Sequence, residues 1–155
     1  MILRQVLSST KIGQLTIKSV PTLNTQETVA EAANQMRSHS HGSALVCEES
    51  GKLTGVITER DLLRLISTGK SLQTPLGSVM TGHPQTVTLD DELLKVIQLM
   101  DQGNYRRLPV VDAKGLPVGI IDVKTVVHFL VEHFPSAVYN QASTAQQTAK
   151  NREGA

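Results

Sequence analysis

"ALVCEESGKLTGVIT" (residues 44–58) returns 64 positions later as "LPVVDAKGLPVGIID" (residues 108–122). Each copy is a short apolar run, a turn carrying a glycine and a second apolar run, the pattern of two strands joined as a hairpin. The similarity extends on both sides, because residues 12–66 align with 76–130 without a gap. Gly13/Gly77, Thr22/Thr86, Met36/Met100, Val46/Val110, Gly51/Gly115, Gly55/Gly119 and Ile57/Ile121 are identical. Ahead of each hairpin, Val29, Ala32, Ala33 and Met36 recur as Leu93, Val96, Ile97 and Met100, the spacing of one helical face. Behind it, a helix beginning near Asp61 recurs near Thr125. The unit strand–helix–strand–strand–helix therefore occurs twice. This predicts an α/β (α+β) fold of two halves packed about a pseudo-twofold axis.

The duplication places a first repeat at 1–68 and a second at 78–135. Between them "STGKSLQTPLG" (67–77) is rich in Gly, Ser and Thr and reads as a connector centred on 69–77. Beyond Pro135, "SAVYNQASTAQQTAKNREGA" has few apolar residues and no helical face. It predicts a flexible polar tail over 136–155, with Val138 and Tyr139 as its only anchors.

Composition removes several classes of function. The 155 residues suit one compact domain or two small ones sharing a core. Fifteen Lys and Arg face 14 Asp and Glu, a net charge of +1, with none of the positive excess that a nucleic-acid binder shows. A single cysteine, Cys47, allows no internal disulfide and fits a reducing, cytoplasmic setting. It sits in the apolar run "ALVC", as a small buried hydrophobe does. No apolar run approaches the roughly 18 residues that span a bilayer, and "MILRQVLSSTK" is too short and too polar for a signal peptide. With 3% aromatics and no Trp, the core must be aliphatic.

Two local patterns invite chemistry. In "GVITERD" (55–61), Thr58 and Asp61 stand three apart where a strand runs into a helix. By themselves they describe an N-cap and a negative first turn. Arg106 and Arg107 precede the strand of the second hairpin, and as adjacent loop arginines they also read as a solvated corner. "HSH" (39–41) carries two histidines without a carboxylate or thiolate set and reads as a surface loop, not a metal site. No Ser–His–Asp order, P-loop or paired carboxylate suggests catalysis, so no catalytic residue is assigned.

Taken together, "SVMTGHPQTVTLDDELLKVIQLM" (78–100), "YRRLPVVDAKGLPVGII" (105–121) and "GVITERDLL" (55–63) make the chain resemble a tandem pair of CBS domains. These are the cystathionine β-synthase-type regulatory repeats also called a Bateman module, and the resemblance covers residues 1 to about 130. It implies two clefts between the repeats and an adenosine-containing regulatory ligand, of the AMP, ADP or ATP class, in place of a catalytic cofactor. S-adenosylmethionine and NAD-type molecules are the alternatives. It carries ribose recognition to Thr58 and Asp61, contact with the base or sugar to Val56, and phosphate recognition to Arg106, Arg107 and Lys124. The adenine would lie near Pro84 and Gln85. An ionised carboxylate accepts from both hydroxyls of a cis-diol, and Arg holds phosphate in bidentate fashion, so the residue types suit those roles.

The second cleft departs from this pattern. Asp122 stands where Thr58 stood, and Thr125 where Asp61 stood. Gly42 and Ser43 replace the arginine pair, and His39 and His41 add little charge at neutral pH. A site formed by Thr22, His39, Asp122 and Thr125 is therefore expected to be weak, empty or selective for a ligand without phosphate. The resemblance further implies a homodimer formed through helical faces and an unidentified protein effector. The competing expectation is an interaction scaffold with a vestigial nucleotide site.

Overall fold

A computed structural model describes residues 2–134 of the chain; Pro135 and the expected tail over 136–155 lie outside the described residues. A helix, α1 (Ile2–Ser9), precedes β1 (Thr22–Asn24), α2 (Val29–Ser38), β2 (Ser43–Cys47), β3 (Leu53–Thr58) and α3 (Glu59–Ser67). After β4 (Thr81–Gly82) the same order returns as β5 (Val87–Thr88), α4 (Leu93–Gly103), β6 (Arg107–Val111), β7 (Pro117–Asp122) and α5 (Val123–His133). The fold is mixed α/β, with the strand–helix–strand–strand–helix unit present twice, as the sequence predicts.

The two hairpins are equivalent residue for residue. β2 pairs antiparallel with β3 from Ser43–Thr58 to Cys47–Leu53, and β6 with β7 from Arg107–Asp122 to Val111–Pro117. Both ladders are irregular at the same place, Val46/Cys47 and Val110/Val111. The turns hold Gly51 at φ +89° and Gly115 at φ +82°, a left-handed conformation that favours glycine. β1 and β5 add in parallel to the outer side of β2 and β6.

The helices bury the faces their spacing foretold. α2 buries Val29, Ala32 and Met36, and α4 buries Leu93, Val96 and Met100. A capping box starts α2: Glu31 N–H donates to Thr28 Oγ1 at 3.2 Å, and Thr28 N–H donates to Glu31 Oε2 at 2.7 Å. β2 is buried along its whole length. Ala44 and Val46 enter the core of the first repeat, while Leu45 and Cys47 occupy the opposite face of the same strand. Burial pushes the Cys47 thiol pKa up, which keeps it protonated and unreactive.

The cores do not follow the sequence boundaries of the repeats. Leu7, Ile12 and Leu15 pack with Val87, Leu93, Leu108 and Ile121 of the second repeat, whereas Leu76 packs with Leu23, Val29 and Ile57 of the first. The exchange is reciprocal to the residue. Ile12 N–H donates to Asp91 O at 3.0 Å, as Leu76 N–H does to Glu27 O at 2.8 Å. Gly13 N–H donates to Leu89 O and Gly77 N–H to Thr25 O, both at 2.9 Å. All four positions are related by the 64-residue offset, and this is the pseudo-twofold relation in atomic form. The connector is therefore part of a core: Leu76 is fully buried, which contributes about 2 kcal/mol from apolar burial alone.

The exchange also completes the sheets. β4 joins the far edge of β3, with Gly55 opposite Gly82 and Val56 opposite Thr81. Lys18 makes the counterpart bridge to β7, exchanging hydrogen bonds of 3.0 and 2.9 Å with Ile120. The crossing segments run so close that a Cβ on Gly119 would lie 2.5 Å from the Lys18 carbonyl oxygen, and one on Gly55 would overlap the Met80 sulfur. Gly119 is thus required by the close crossing of two backbone segments, whereas at Gly55 the nearest neighbour is the flexible end of the Met80 side chain.

Candidate functional site: a groove between the repeats

Thr58 closes β3 and caps α3, and its partner in the cap is Asp61. Asp61 N–H donates to Thr58 Oγ1 at 3.3 Å, while Thr58 N–H and its hydroxyl donate to Asp61 Oδ2 at 2.9 and 3.0 Å. Among the described residues nothing donates to Asp61 Oδ1. One carboxylate oxygen thus orders the helix start and the other is left with its lone pairs uncommitted.

The second repeat ties the same knot with its polarity reversed. Asp122 is the cap of α5, and its Oδ1 accepts from Thr125 N–H at 2.8 Å and from the Thr125 hydroxyl at 3.0 Å. Its other oxygen, Oδ2, accepts from Lys18 Nζ at 2.7 Å. Burial of this carboxyl works to raise its pKa. The Lys18 ammonium and the Thr125 N–H and hydroxyl together outweigh that effect and hold it below the ordinary 3.8. Both oxygens of Asp122 are engaged, in contrast to Asp61.

A cleft of about 710 Å3 opens beside Asp61. The structure brings Val56, Thr58, Asp61, Pro84, Gln85, Arg106 and Arg107 together on its walls. β3 and the start of α3 supply one side, the chain after β4 the end, and the approach to β6 the opposite side. Tyr105 lines it too, 43% exposed, a residue the sequence reading passed over. In a chain with so few aromatics, a tyrosine beside the arginine pair was the available signal. Glu59 and Arg60, in the first turn of α3, complete the charged rim.

The structure places four of the expected residues elsewhere. Lys124 does not line this cleft. It lies in a neighbouring one of about 510 Å3 with Lys18, His41, Arg106, Arg107 and Asp122. Thr22 and His39 do not line that second cleft: Thr22 is in β1 opposite Leu45, and His39 Nδ1 lies 2.9 Å from Gln35 O at the end of α2. Thr125 faces a third recess, with Lys18, Lys124, His128 and His133. The expected lack of positive charge in the second cleft is overturned as well. Matching repeat to repeat finds only Gly42 and Ser43 opposite Asp122, but the arginine pair reaches both clefts, and Lys18 arrives from the crossing segment.

Among the described residues no group of three His, Cys, Asp or Glu side chains is arranged to hold a metal ion, and no helix is long and apolar enough to cross a membrane. A family model described as CBS domain matches residues 12–68 and again 76–132, one match for each copy of the repeated unit. The chain belongs to the CBS-domain family. It is 39% identical over 103 residues to the CBS domain-containing protein YhcV of Bacillus subtilis, covering 66% of this chain and 72% of that one. Two other curated relatives are spanned over 63 and 56% of their length, and a third over 75%.

Solved CBS-domain structures share the fold. A CBS domain protein from Pyrobaculum aerophilum, complexed with AMP, superposes with a TM-score of 0.71 at 22% identity over 87% of this chain and 99% of its own. CBSX2 in complex with AMP superposes with a TM-score of 0.70 at 26% identity over 79% of this chain and 96% of its own. Within the CBS pair described here, the walls of the larger cleft carry opposite charge. A carboxylate oxygen and a hydroxyl stand on one repeat, guanidinium groups on the other.

Proposed function

We propose that this CBS pair is a non-catalytic regulatory module that binds an adenine nucleotide in the cleft between Asp61 and Arg106–Arg107. The observation that carries this reading is the uncommitted Oδ1 of Asp61, set in a cleft whose opposite wall is the arginine pair of the other repeat. The ribose hydroxyls donate to Asp61, Val56 lies against the sugar, Tyr105, Pro84 and Gln85 flank the base, and the phosphate meets the guanidinium groups. Because the two halves of the site belong to different repeats, the ligand binds one relative arrangement of them better than another. That difference in affinity is what can move a conformational equilibrium and signal to a protein effector.

The AMP complexes of the CBS neighbours support the ligand class. Leu63 and Ile66 on α3 and Val127 on α5 are apolar and exposed, at 69, 62 and 50%. These faces support a homodimer through the helices. The near-neutral charge and the buried, lone Cys47 support a cytoplasmic setting without nucleic-acid partners.

Isothermal titration calorimetry with adenosine, AMP, ADP, ATP and S-adenosylmethionine tests the reading. Binding of an adenine nucleotide by the wild type and its loss in Asp61→Ala are the expected results. A folded protein that takes up none of these compounds supports the scaffold instead.

A further inference from the structure

Gly42 separates two opposite charges that come from different repeats. Glu59 begins α3, and its N–H donates to Gly42 O at 3.1 Å, which pins the glycine to the start of that helix. Arg107 begins β6 and reaches the same glycine from the second repeat. A Cβ built on Gly42 would lie 3.2 Å from Arg107 Nη2 and 3.4 Å from Glu59 Oε2. The missing side chain leaves a gap bordered by a guanidinium nitrogen on one side and a carboxylate oxygen on the other. The two groups are outside ion-pair distance, and among the described residues Arg107 is in no ion pair.

The other carboxylates around Arg107 are already engaged. Asp122 is its partner across the β6–β7 ladder, but Thr125 holds Oδ1 and Lys18 holds Oδ2. Asp61 has one oxygen in the cap of α3. Glu59 differs from both, since among the described residues neither of its oxygens accepts a hydrogen bond or an ion pair. Its neighbour Arg60 lines the same cleft without pairing to it. Both Glu59 and Arg107 are exposed, so either side chain can swing into the gap. The arrangement is one-sided. The 64-residue offset puts Val123 at the position of Glu59 and Ser43 at that of Arg107, so the pseudo-twofold axis generates no second copy of it.

We propose that Glu59 is an internal competitor for Arg107, a latch between the repeats that an external anion has to displace. The structure shows the latch open, its two halves facing each other across Gly42. Closed, it ties the start of α3 to the start of β6. An anion held by Arg107 releases that tie, whereas a neutral ligand leaves it in place. Closure needs no ligand; only its displacement by a nucleotide rests on the reading of the cleft given above.

Glu59→Gln, Arg107→Gln and the double variant test the latch in two ways. In urea unfolding at low salt without ligand, the double variant is expected to lose less than the two single losses together, and the difference is expected to shrink at high salt. Strictly additive losses would overturn the latch. In calorimetry, Glu59→Gln is expected to bind AMP about two- to fivefold more tightly than the wild type, the scale of an exposed ion pair, with adenosine affinity unchanged. In the Arg107→Gln background the same substitution is expected to gain nothing. Weaker or unchanged AMP binding in Glu59→Gln, an equal gain for adenosine, or a gain that persists without Arg107 would each overturn the competition. If the wild type binds no adenosine compound, the nucleotide reading fails, and the unfolding cycle still decides the latch.

Discussion

Lys18 Nζ donates to Asp122 Oδ2 at 2.7 Å across 104 residues of chain. The lysine comes from the segment that leads into the first repeat, and the aspartate caps the last helix of the second. The contact follows from the crossing of lead-in segments, since Lys18 also bridges Ile120 through its backbone. It engages one carboxylate oxygen of Asp122 in the second cleft, while Thr125 holds the other.

That ion pair makes acid stability depend on Asp122. Its folded-state pKa lies below the ordinary 3.8, so the unfolded chain binds the proton more readily. The stabilisation is complete above pH 3.8 and is lost as pH falls through the folded-state value. Urea unfolding followed between pH 3 and pH 7 is expected to show a shallower acid loss in Lys18→Met than in the wild type. Parallel curves would show that the pair contributes nothing.

Asp61→Ala removes both the proposed ribose acceptor and half of a helix cap. Loss of a hydrogen bond to a charged group costs about 1.5–3 kcal/mol, so AMP affinity is expected to fall roughly 10- to 150-fold. The damaged cap lowers folding stability by about 1 kcal/mol. Calorimetry and urea melts on the same preparation separate the two effects, and unchanged AMP affinity sinks the ribose assignment.

Arg107 tests phosphate recognition apart from recognition of the nucleoside. In Arg107→Ala, AMP affinity is expected to fall about tenfold or more with adenosine affinity unchanged. An equal loss for both ligands would mean that the arginine shapes the cleft without holding the phosphate.

The crossing of segments is tested by two glycines of the same chain. Gly119→Ala sets a methyl against the Lys18 carbonyl and is expected to destabilise by about 1–3 kcal/mol. Gly82→Ala meets nothing within 4 Å and is expected to stay within about 0.5 kcal/mol of the wild type. Equal chemical-denaturation midpoints for the two variants would contradict the close approach.

Leu76 lies in what the sequence presents as connector. Its complete burial against Leu23, Val29 and Ile57 predicts a loss of about 2–5 kcal/mol in Leu76→Ala, by urea unfolding. A surface-like effect would return the segment to the status of a linker.

Most of the fold is legible locally. The hairpins at 44–58 and 108–122, the helical faces of Val29/Ala32/Met36 and Leu93/Val96/Met100, and the cap at Thr58 all depend on residues a few positions apart. The duplication doubled every one of those signals. For the same reason the gathering of Val56, Thr58, Asp61, Pro84, Gln85, Arg106 and Arg107 on one cleft was legible through resemblance to the CBS pair. Lys124 and Lys18 were not. Comparing repeat with repeat assigns each residue the role of its counterpart, whereas the side of the arginine pair on which a lysine falls depends on how the two repeats dock.

The sequence by itself determined the repeated elements, their order, their apolar faces and the exchange of hydroxyl and carboxylate between Thr58/Asp61 and Asp122/Thr125, but neither α1 nor β4. Tertiary structure decided which core each lead-in segment joins, that Lys18 meets Asp122, and that the two clefts share one arginine pair. Local periodicity encodes which face of an element is apolar but not which distant apolar face covers it. Contacts between residues 104 positions apart arise only when the two repeats close upon each other.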